Sequence, residues 1–346
     1  MTRDNCFSAL AGESAAAPRE EDPTMTLALV LPCYNEQEVL PETNRRLLSL
    51  LREMREGHEV DGFLILYVDD GSRDRTWAEI ASMAAGSPHV HGLRLTHNSG
   101  HQRALWAGLE WAVDRADAVV TIDADLQDDI QAIPRMARLY REGRDIVYGA
   151  RRSRATDSPF KRATARAFYG LLRAMGAELV FNHADFRLMS RRSLRALLSF
   201  PERNLFLRGL VPTLGFPSAV VYYDRLPRQA GETKYPLSKM LALAMDGITS
   251  FSTRPLRCIS CLGLLLMLAS LGGIIYGVCS WAAGRALPGW TSLLVSLWFI
   301  GGAVLLACGI IGEYVGKTYQ EVKRRPRYFI EAETPAAPLP PGPRGH

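Results

Sequence analysis

Two aspartates that follow a short apolar run form the part of the sequence that best suits metal binding. Asp123 and Asp125 come directly after residues 118–122, AVVTI, a run typical of a buried strand. Their carboxylates would stand at the carboxyl end of that strand, where open α/β sheets bind ligands. Hard oxygen donors placed there suit Mg²⁺ or Mn²⁺, which in turn hold the phosphates of a nucleotide. For so short a motif, a solvated turn at a strand end is the alternative.

The segments around this motif alternate between strand patterns and helix patterns. Strands are predicted at 27–32, 63–69, 90–96, 118–123 and 145–149, and helices at 37–56, 73–85, 101–114 and 130–142. This alternation predicts an α/β fold with a doubly wound, mostly parallel sheet.

Polar clusters end three of these strands, at residues 31–36, 68–72 and 123–127. Because the carboxyl ends of parallel strands meet at one edge of a sheet, we expect the three clusters to form one composite site. No G-x-G-x-x-G follows the first strand, which argues against a dinucleotide-binding oxidoreductase. The stretch 312–318 resembles a phosphate loop but has three residues between its glycines instead of four, so we reject it.

Two uncharged stretches, 258–284 and 290–312, each exceed the roughly 20 residues that a membrane-spanning helix needs. The short link 285–289 makes them a predicted transmembrane hairpin with spans at about 258–283 and 290–312. Two buried helices of a soluble core are the alternative. Basic residues flank the outer ends of the pair, which places the N-terminal region and the tail in the cytoplasm. The net charge of +5 then fits a membrane-facing protein and not a nucleic-acid binder.

Composition also predicts the boundaries of the other segments. Residues 1–24 mix charges with alanines and read as a disordered leader, unless Met25 is the start of the chain. The six cysteines form no disulfide or metal framework. The remaining segments are a catalytic domain over 25–235, an interfacial amphipathic helix over 236–256, a basic juxtamembrane helix over 313–330 and a disordered Pro-rich tail over 331–346.

Several motifs resemble those of a known family. The segments LPCYNEQE, VDDGSRD, NSGHQRALWAGL and DADLQDD occur in this order and are similar to those of glycosyltransferase family 2, which has the GT-A fold. Further on, ADFRLMSRR, PERNLFLRG, RQAGETKY and GEYVGKTYQEVKRRPRYF resemble the polyprenyl-phosphate glycosyltransferases. The bactoprenol glucosyltransferase branch is more similar than dolichol-phosphate mannose synthase. The resemblance covers about residues 25–330.

The resemblance implies roles for the residues of the composite site. The residues around the uracil and ribose of UDP would be Pro32, Tyr34, Glu36 and either Asp69 or Asp70. Tyr34 offers a stacking face, and a carboxylate can accept a hydrogen bond from uracil. For Asp70, a turn and helix cap is the alternative. The metal ligands would be Asp123, Asp125 and Gln127, with Asp123 also contacting the nucleotide sugar, whereas Asp128 and Asp129 would begin the next helix.

Other residues would serve the acceptor and the transfer step. The resemblance points to Arg151 and Arg162 as ligands of the acceptor phosphate, since the planar guanidinium suits that oxyanion. Asp125, Asp185 and Arg228 would be catalytic, with Asp185 orienting substrates more than removing a proton. Arg228, Lys234 and Tyr235 would belong to a flexible lid, or otherwise to a basic surface. His101 opens a helix and could contact sugar or phosphate, or lie on the surface.

The function that the resemblance implies is a membrane-anchored, metal-dependent, inverting glycosyltransferase. It would move a hexose, glucose from UDP-glucose foremost, onto undecaprenyl phosphate at the cytoplasmic face of the inner membrane, with Mg²⁺ or Mn²⁺ as cofactor. Mannose, N-acetylhexosamine and aminoarabinose are alternative sugars. A processive polysaccharide synthase is one rival function, but the Q-x-x-R-W motif of such enzymes does not occur in this sequence. The other rival is an inactive membrane scaffold that binds a nucleotide sugar. Implied partners are the UDP-sugar, the polyprenyl phosphate, the bilayer, further copies of the chain in a tetramer, and a small membrane flippase.

Overall fold

A computed structural model describes residues 25–151, 183–203, 205–224 and 289–334, together with individual helical positions between 256 and 279. The first half alternates strand and helix, as the sequence predicts. Its elements are β1 Thr26–Cys33, α1 Leu40–Glu56, β2 Gly62–Asp69, α2 Thr76–Gly86, β3 Val90–Leu95, α3 His101–Ala112, β4 Ala118–Thr121, α4 Ala132–Arg141 and β5 Ile146–Arg151. The later elements are β6 His183–Ser190, α5 Arg191–Leu198, α6 Leu207–Thr213, β7 Ser218–Tyr223, α7 Trp290–Lys323 and β8 Ile330–Glu333.

The eight strands form one mixed sheet in the order β7-β5-β6-β4-β1-β2-β3-β8. Strand β1 lies between β2 and β4, is parallel to both, and is buried along nearly all its length. Full burial explains its continuous apolar run, because both faces of such a strand are covered. In register, Cys33 lies beside Asp69 and Val30 beside Thr121. The three polar clusters therefore follow strands that end at the same edge, as expected.

Helix α3 packs closely on this central part of the sheet. Gly108 makes the approach possible, since a Cβ atom there would lie 2.3 Å from Cγ1 of Val30. Buried Trp106 and Leu105 lie on the same helix. Close packing of α3 brings its first residue, His101, to the edge of the sheet where the polar clusters lie.

The sheet is less regular than a doubly wound parallel sheet. Strand β6 lies between β4 and β5 and is antiparallel to both, so β5 pairs in parallel with β7 and not with β4. Asp185 is thus the third residue of a strand that begins at His183. The sequence predicts strand character here, but strand direction depends on the path of the chain between β5 and β6, which local patterns do not report.

The C-terminal boundaries differ from those predicted. Helix α7 ends at Lys323 and does not continue to residue 330. Arg324 adopts a left-handed conformation with φ 46°, and Pro326 follows shortly after, a pairing that ends helices. Residues 330–333 then form β8, antiparallel to β3, so the segment predicted to be a tail begins inside the sheet. In the sequence, the four residues of β8 are too few for an alternating pattern to distinguish a strand from a polar tail.

The described residues fall into two compact units. One contains the sheet and its helices, and the other contains residues 289–325. Among the described residues, one helical stretch is long and apolar enough to cross a membrane, Phe299–Lys323, with a mean hydropathy of 1.8 and none of its most apolar window buried. The leader, the interfacial helix, the lid and most of the first predicted span lie outside the described residues.

Candidate active site

A cavity of about 310 Å³ opens at the sheet edge where the polar clusters meet. Six residues predicted from the sequence line it together: Pro32, Tyr34, Glu36, Asp70, Asp123 and Asp125. His101, which the sequence left undecided, and Asn98, which it missed, also line the cavity. Both come from the loop after β3 or the start of α3. The polar run 96–99, THNS, follows β3 directly and could have been read as a fourth cluster.

The loop after β1 is held in place by the loop after β2. Asn35 has a positive φ of 56° and donates its N–H to Oγ of Ser72 at 2.9 Å, while its Oδ1 accepts from the N–H of Arg73 at 3.0 Å. The N–H of Glu36 is bonded to Oγ1 of Thr76 at 2.9 Å. These bonds fix the backbone that follows Tyr34, whose side chain is 41% exposed and available for stacking.

Asp69 and Asp70, adjacent in sequence, have different surroundings. Asp69 is fully buried, accepts from the N–H of Ser72 at 3.0 Å, and forms an ion pair with Arg94 at 3.5 Å. Asp70 lines the cavity and accepts from the N–H groups of Ser99 and Gly100, at 2.7 and 2.9 Å. Burial raises the pKa of Asp70, although these two hydrogen bonds oppose the rise. Of the two candidates for the uracil contact, Asp70 is therefore the one placed at the cavity.

The turn after β4 presents two carboxylates to the cavity. Leu126 has a positive φ of 54°, and Oδ1 of Asp125 accepts from the N–H of Gln127 at 3.1 Å. Burial, together with the nearby carboxylates of Asp128, Asp185 and Asp125, raises the pKa of Asp123 to about 6, against the opposing pull of His101. Gln127 itself is 4% exposed and does not line the cavity.

Asp128 does not begin the following helix, contrary to the prediction. It is buried and accepts a hydrogen bond from the hydroxyl of Tyr223 at 2.5 Å, whereas α4 starts at Ala132 with Gln131 as its N-cap residue. Asp129 lies nearer the helix and accepts from the N–H of Gln131 at 3.0 Å. The bond to β7 is a long-range contact, so the local sequence carries no sign of it.

Asp185 is the centre of a charged network that includes His101, a residue of the cavity lining. Its carboxylate accepts from Arg187 at 2.5 Å, from Arg208 at 3.0 and 3.3 Å, and from Nε2 of Gln102 at 3.3 Å. Burial alone would raise its pKa, but His101, Arg187 and Arg208 outweigh burial and hold the pKa well below the usual range. A carboxylate stabilised in this way is a poor base, and it can fix the groups that surround it.

His101 joins this network to the cavity. Its Nε2 lies 3.4 Å from Oδ2 of Asp185 and 3.8 Å from Oδ1 of Asp123. Burial lowers the pKa of His101, but the two carboxylates overcome this and raise it above its ordinary value. The raised pKa favours the protonated imidazole, both of whose ring nitrogens are N–H donors.

Other residues of the network were missed by the sequence analysis. Arg208 and Arg187 both bind Asp185, and Gln102 receives the N–H of Leu207 at 3.2 Å. Arg187 lies two residues from Asp185 on the same strand, a spacing that places both on one face, and this signal could have been read. Arg208 comes from α6, which is distant in sequence.

The remaining predicted site residues lie at the edge of the described residues or outside them. Arg151 ends β5, and nothing is described of its side chain. Arg162, Arg228, Lys234 and Tyr235 lie outside the described residues.

The chemistry of the cavity suits a divalent cation that a ligand helps to hold. Among the residues that the structure describes, no group of three or more His, Cys, Asp or Glu is arranged to hold a metal ion. Asp123 and Asp125 nevertheless line one cavity and supply the hard oxygen donors that Mg²⁺ and Mn²⁺ prefer. Mg²⁺ in particular is bound by one or two carboxylates together with substrate phosphates. The donor set therefore fits a cation that binds with a nucleotide diphosphate.

Known proteins are similar in sequence to this chain over most of its length. Residues 28–198 match the family described as Glycosyl transferase family 2. The chain is 50% identical over 316 residues to an uncharacterized glycosyltransferase, YkoT, of Bacillus subtilis (strain 168), covering 91% of this chain and 93% of that protein. It is 40% identical over 316 residues to the prophage bactoprenol glucosyl transferase homolog of Escherichia coli (strain K12), covering 89% and 99%.

A solved structure is more distantly similar. The mannosyltransferase PcManGT from Pyrobaculum calidifontis, in complex with GDP-Man and Mn²⁺, is 17% identical and aligns over 87% of this chain and 86% of that chain with a TM-score of 0.39. This likeness is too low to bear on function.

The mixed α/β sheet, with a polar cavity at the strand ends, and the extent of these similarities define an enzyme that transfers a glycosyl group. The chain belongs to glycosyl transferase family 2.

Proposed function

We propose that this glycosyltransferase moves a hexose from a nucleoside diphosphate sugar, glucose from UDP-glucose, to the phosphate of a polyprenyl lipid such as undecaprenyl phosphate. The observation that carries the proposal is the cavity in which Asp123 and Asp125 lie with Tyr34, Glu36 and Asp70. It joins donors for a cation to groups that suit a nucleoside. The lipid acceptor is supported by relatives named bactoprenol glucosyl transferase, 40% identical over 98–99% of their length.

The donor would bind with its base near Tyr34 and its diphosphate near Asp123 and Asp125. The exposed ring of Tyr34 offers a stacking surface, and Glu36 or Asp70 can accept from the N–H of uracil. Asp123, Asp125 and, by the family resemblance, Gln127 would hold the cation. When bound, Mg²⁺ or Mn²⁺ offsets the negative charge that develops on the departing diphosphate.

The acceptor phosphate needs no strong base in this reaction. Its second pKa is roughly 6, so it is mostly dianionic at pH 7.5. A phosphate oxygen attacks the anomeric carbon as the bond from that carbon to UDP breaks, and the configuration inverts. Asp185, already ion-paired with Arg187 and Arg208, orients His101 and Arg208 and does not take a proton.

Basic residues would hold the acceptor. We assign Arg151 and Arg162 to the acceptor phosphate, because a guanidinium binds a phosphate through two parallel hydrogen bonds. Arg228, Lys234 and Tyr235 would form a lid over the diphosphate. Sequence resemblance supports these assignments.

The enzyme would work at the inner membrane as a multi-pass protein with its catalytic domain in the cytoplasm. The apolar stretch Phe299–Lys323 and the uncharged run 258–284 support two spans, and the flanking basic residues support the orientation. Further copies of the chain and a small flippase are partners that rest on family resemblance alone.

A direct assay tests the proposal. Purified full-length protein is incubated with undecaprenyl phosphate, Mg²⁺ and a panel of nucleotide sugars, and the lipid products are weighed by mass spectrometry. We expect a product heavier by one hexose with UDP-glucose. A product with another sugar would correct the donor, and absence of a lipid product with every sugar would refute the acceptor.

Replacement of one carboxylate provides the matched comparison. Asp125→Asn should lower turnover by ~100-fold or more, since it removes a charge that acts on the developing diphosphate. Asp114→Asn is the control, because Asp114 is a surface carboxylate whose side chain is 72% exposed. Unfolding temperatures of the two variants should agree within a few degrees. Half of the wild-type rate in Asp125→Asn would exclude the cation assignment.

A further inference from the structure

The segment that follows α7 returns to the sheet and holds two parts of the active-site network together. We define the C-terminal strap as residues 327–334. Its strand β8 pairs with β3, and beyond the strand Thr334 and Gly92 exchange two hydrogen bonds, of 2.8 and 2.9 Å. At the other end, the carbonyl of Phe329 accepts from the N–H of Thr96 at 3.0 Å. The strap is therefore a built part of the sheet domain.

Arg327 is the strap residue that contacts both α3 and the segment 200–202. Its guanidinium lies 4.3 Å from the ring centroid of Trp106 in α3. The same group donates to the carbonyl of Phe200 at 2.8 Å and to that of Glu202 at 2.8 and 3.2 Å. An ion pair at 3.7 Å links it to Glu110, whose carboxylate also accepts from the indole of Trp106 at 2.6 Å. One side chain, 11% exposed, thus joins α3 to the segment that precedes α6.

The two elements joined by Arg327 are those that meet at Asp185. Helix α3 begins with His101 and Gln102, and both contact the Asp185 carboxylate. Helix α6 contributes Arg208, which binds the same carboxylate, and Leu207, whose N–H is held by Gln102. A shift of the 200–202 segment against α3 would therefore change the spacing of His101, Arg208 and Asp185.

We propose that Arg327 is a positioning residue for glycosyl transfer, which sets the distance between the start of α3 and Arg208 without touching the cavity. The proposal rests on the transfer reaction proposed above. Arginine suits this role because its planar fork can stack on an indole while its N–H groups donate to two carbonyls. A lysine would keep the charge and lose the fork.

The test compares three variants of the full-length protein. Arg327→Ala removes the stacking and the carbonyl bonds, and Arg327→Lys retains the charge. Arg325→Ala is the matched control, because Arg325 is exposed and lies two residues away. For each variant we would measure kcat for sugar transfer, the Kd for UDP, and backbone hydrogen exchange at 99–104, at 205–210 and in β1.

We expect Arg327→Ala to lower kcat on the order of tenfold to a hundredfold, because small displacements of reacting groups are costly. The Kd for UDP should stay within about twofold, since the loop of Tyr34 and Glu36 is held by Ser72 and Thr76. Arg327→Lys should recover part of kcat, and Arg325→Ala should match the wild type. Exchange should accelerate at 99–104 and 205–210 and not in β1.

Two outcomes would overturn the proposal. One is an Arg327→Ala variant with the kcat and exchange rates of Arg325→Ala. The other is a parallel loss of UDP affinity and of protection in β1, which would indicate a role in global stability. If the wild type transfers no sugar to a polyprenyl phosphate, the proposed function fails, and the exchange rates still decide whether Arg327 positions these segments.

Discussion

At the scale of single residues, the site places carboxylates in two different states. Asp185 contacts a histidine and two arginines, which hold its pKa well below the usual range against the effect of burial, and it also accepts from the amide of Gln102. Asp123 is crowded by other carboxylates, and burial with this repulsion raises its pKa to about 6. The first state suits a fixed structural charge, and the second suits a ligand whose charge a cation would stabilise.

The state of Asp185 leads to a prediction about pH. We expect Asp185→Asn to lower kcat/KM about tenfold or more, by loosening His101 and Arg208, while the acidic limb of the pH profile persists. At saturating cation that limb reports the acceptor phosphate, which gains reactivity as its second proton leaves at roughly pH 6. Profiles of wild type, Asp185→Asn and Asp114→Asn provide the measurement. Loss of the limb in Asp185→Asn alone would make Asp185 the base.

The state of Asp123 predicts how cation binding depends on pH. A ligand must be ionised to bind a cation, so protonation of Asp123 below about pH 6 should weaken Mn²⁺ affinity by about tenfold per pH unit. The diphosphate of UDP titrates in a similar range, so the comparison is with Asp123→Asn. Calorimetric titration with Mn²⁺ in the presence of UDP, from pH 5 to 7.5, should give a slope one proton steeper in the wild type. Equal slopes would remove Asp123 from the ligand set.

At the scale of elements, turns with unusual backbone geometry bring the functional side chains together. Asn35, Leu126 and Gly71 all have positive φ values and follow β1, β4 and β2. Gly71 also lies against the neighbouring loop, since a Cβ atom there would be 2.5 Å from the carbonyl carbon of His97. This close approach allows Asp70 to bind the N–H groups of Ser99 and Gly100.

Gly71 can be tested against a glycine with the same φ and open surroundings. Gly215 has the same φ of 67°, but a Cβ atom added there would have no neighbour within 4 Å among the described residues. Gly215→Ala should cost about 1 kcal/mol of unfolding free energy, from backbone strain alone. Gly71→Ala should cost about 2 kcal/mol more, because the loop must also move. Denaturant unfolding and UDP titration check this, and we expect weaker UDP binding in Gly71→Ala alone. Equal effects would show that the loop contact is unimportant.

At the scale of the whole molecule, the chain leaves the sheet domain and then comes back to it. Helix α7 has 34 residues, and at 1.5 Å per residue it is about 51 Å long, more than the roughly 30 Å of a bilayer core. The strap after α7 adds β8 to the edge of the sheet beside β3. Because residues before and after the apolar region belong to the same unit, the proposed hairpin would have both flanks on one side of the membrane.

The topology can be tested by labelling. Pro288→Cys would place a thiol in the link between the two predicted spans, which the positive-inside rule puts outside the cytoplasm. A membrane-impermeant maleimide should label it in intact cells, above the background of the native chain. Arg325→Cys is the matched control and should be labelled after the membrane is opened. If Pro288→Cys were labelled only after the membrane is opened, the orientation would be opposite to the one predicted.

The local pattern of the sequence determined the elements and half of the site. Buried runs and polar strand ends located β1 to β5, α1 to α4 and the three polar clusters that contain six cavity residues, because helix and strand periods and strand-end turns are visible in neighbouring residues. The individual residues of the nucleoside site came from the family resemblance. Family resemblance added the enzyme class, which the alternation of elements by itself does not specify.

Only the tertiary structure determined which side chains contact one another in and around the site. Contacts between distant parts of the chain bury Asp128 against Tyr223 and place Asp70, not Asp69, at the cavity. Such contacts also bring Arg187 and Arg208 to Asp185 and return β8 to the sheet. Such contacts form because folding buries charge where an opposite charge or a hydrogen-bond donor can meet it. That condition involves the whole fold, and no short stretch of sequence expresses it.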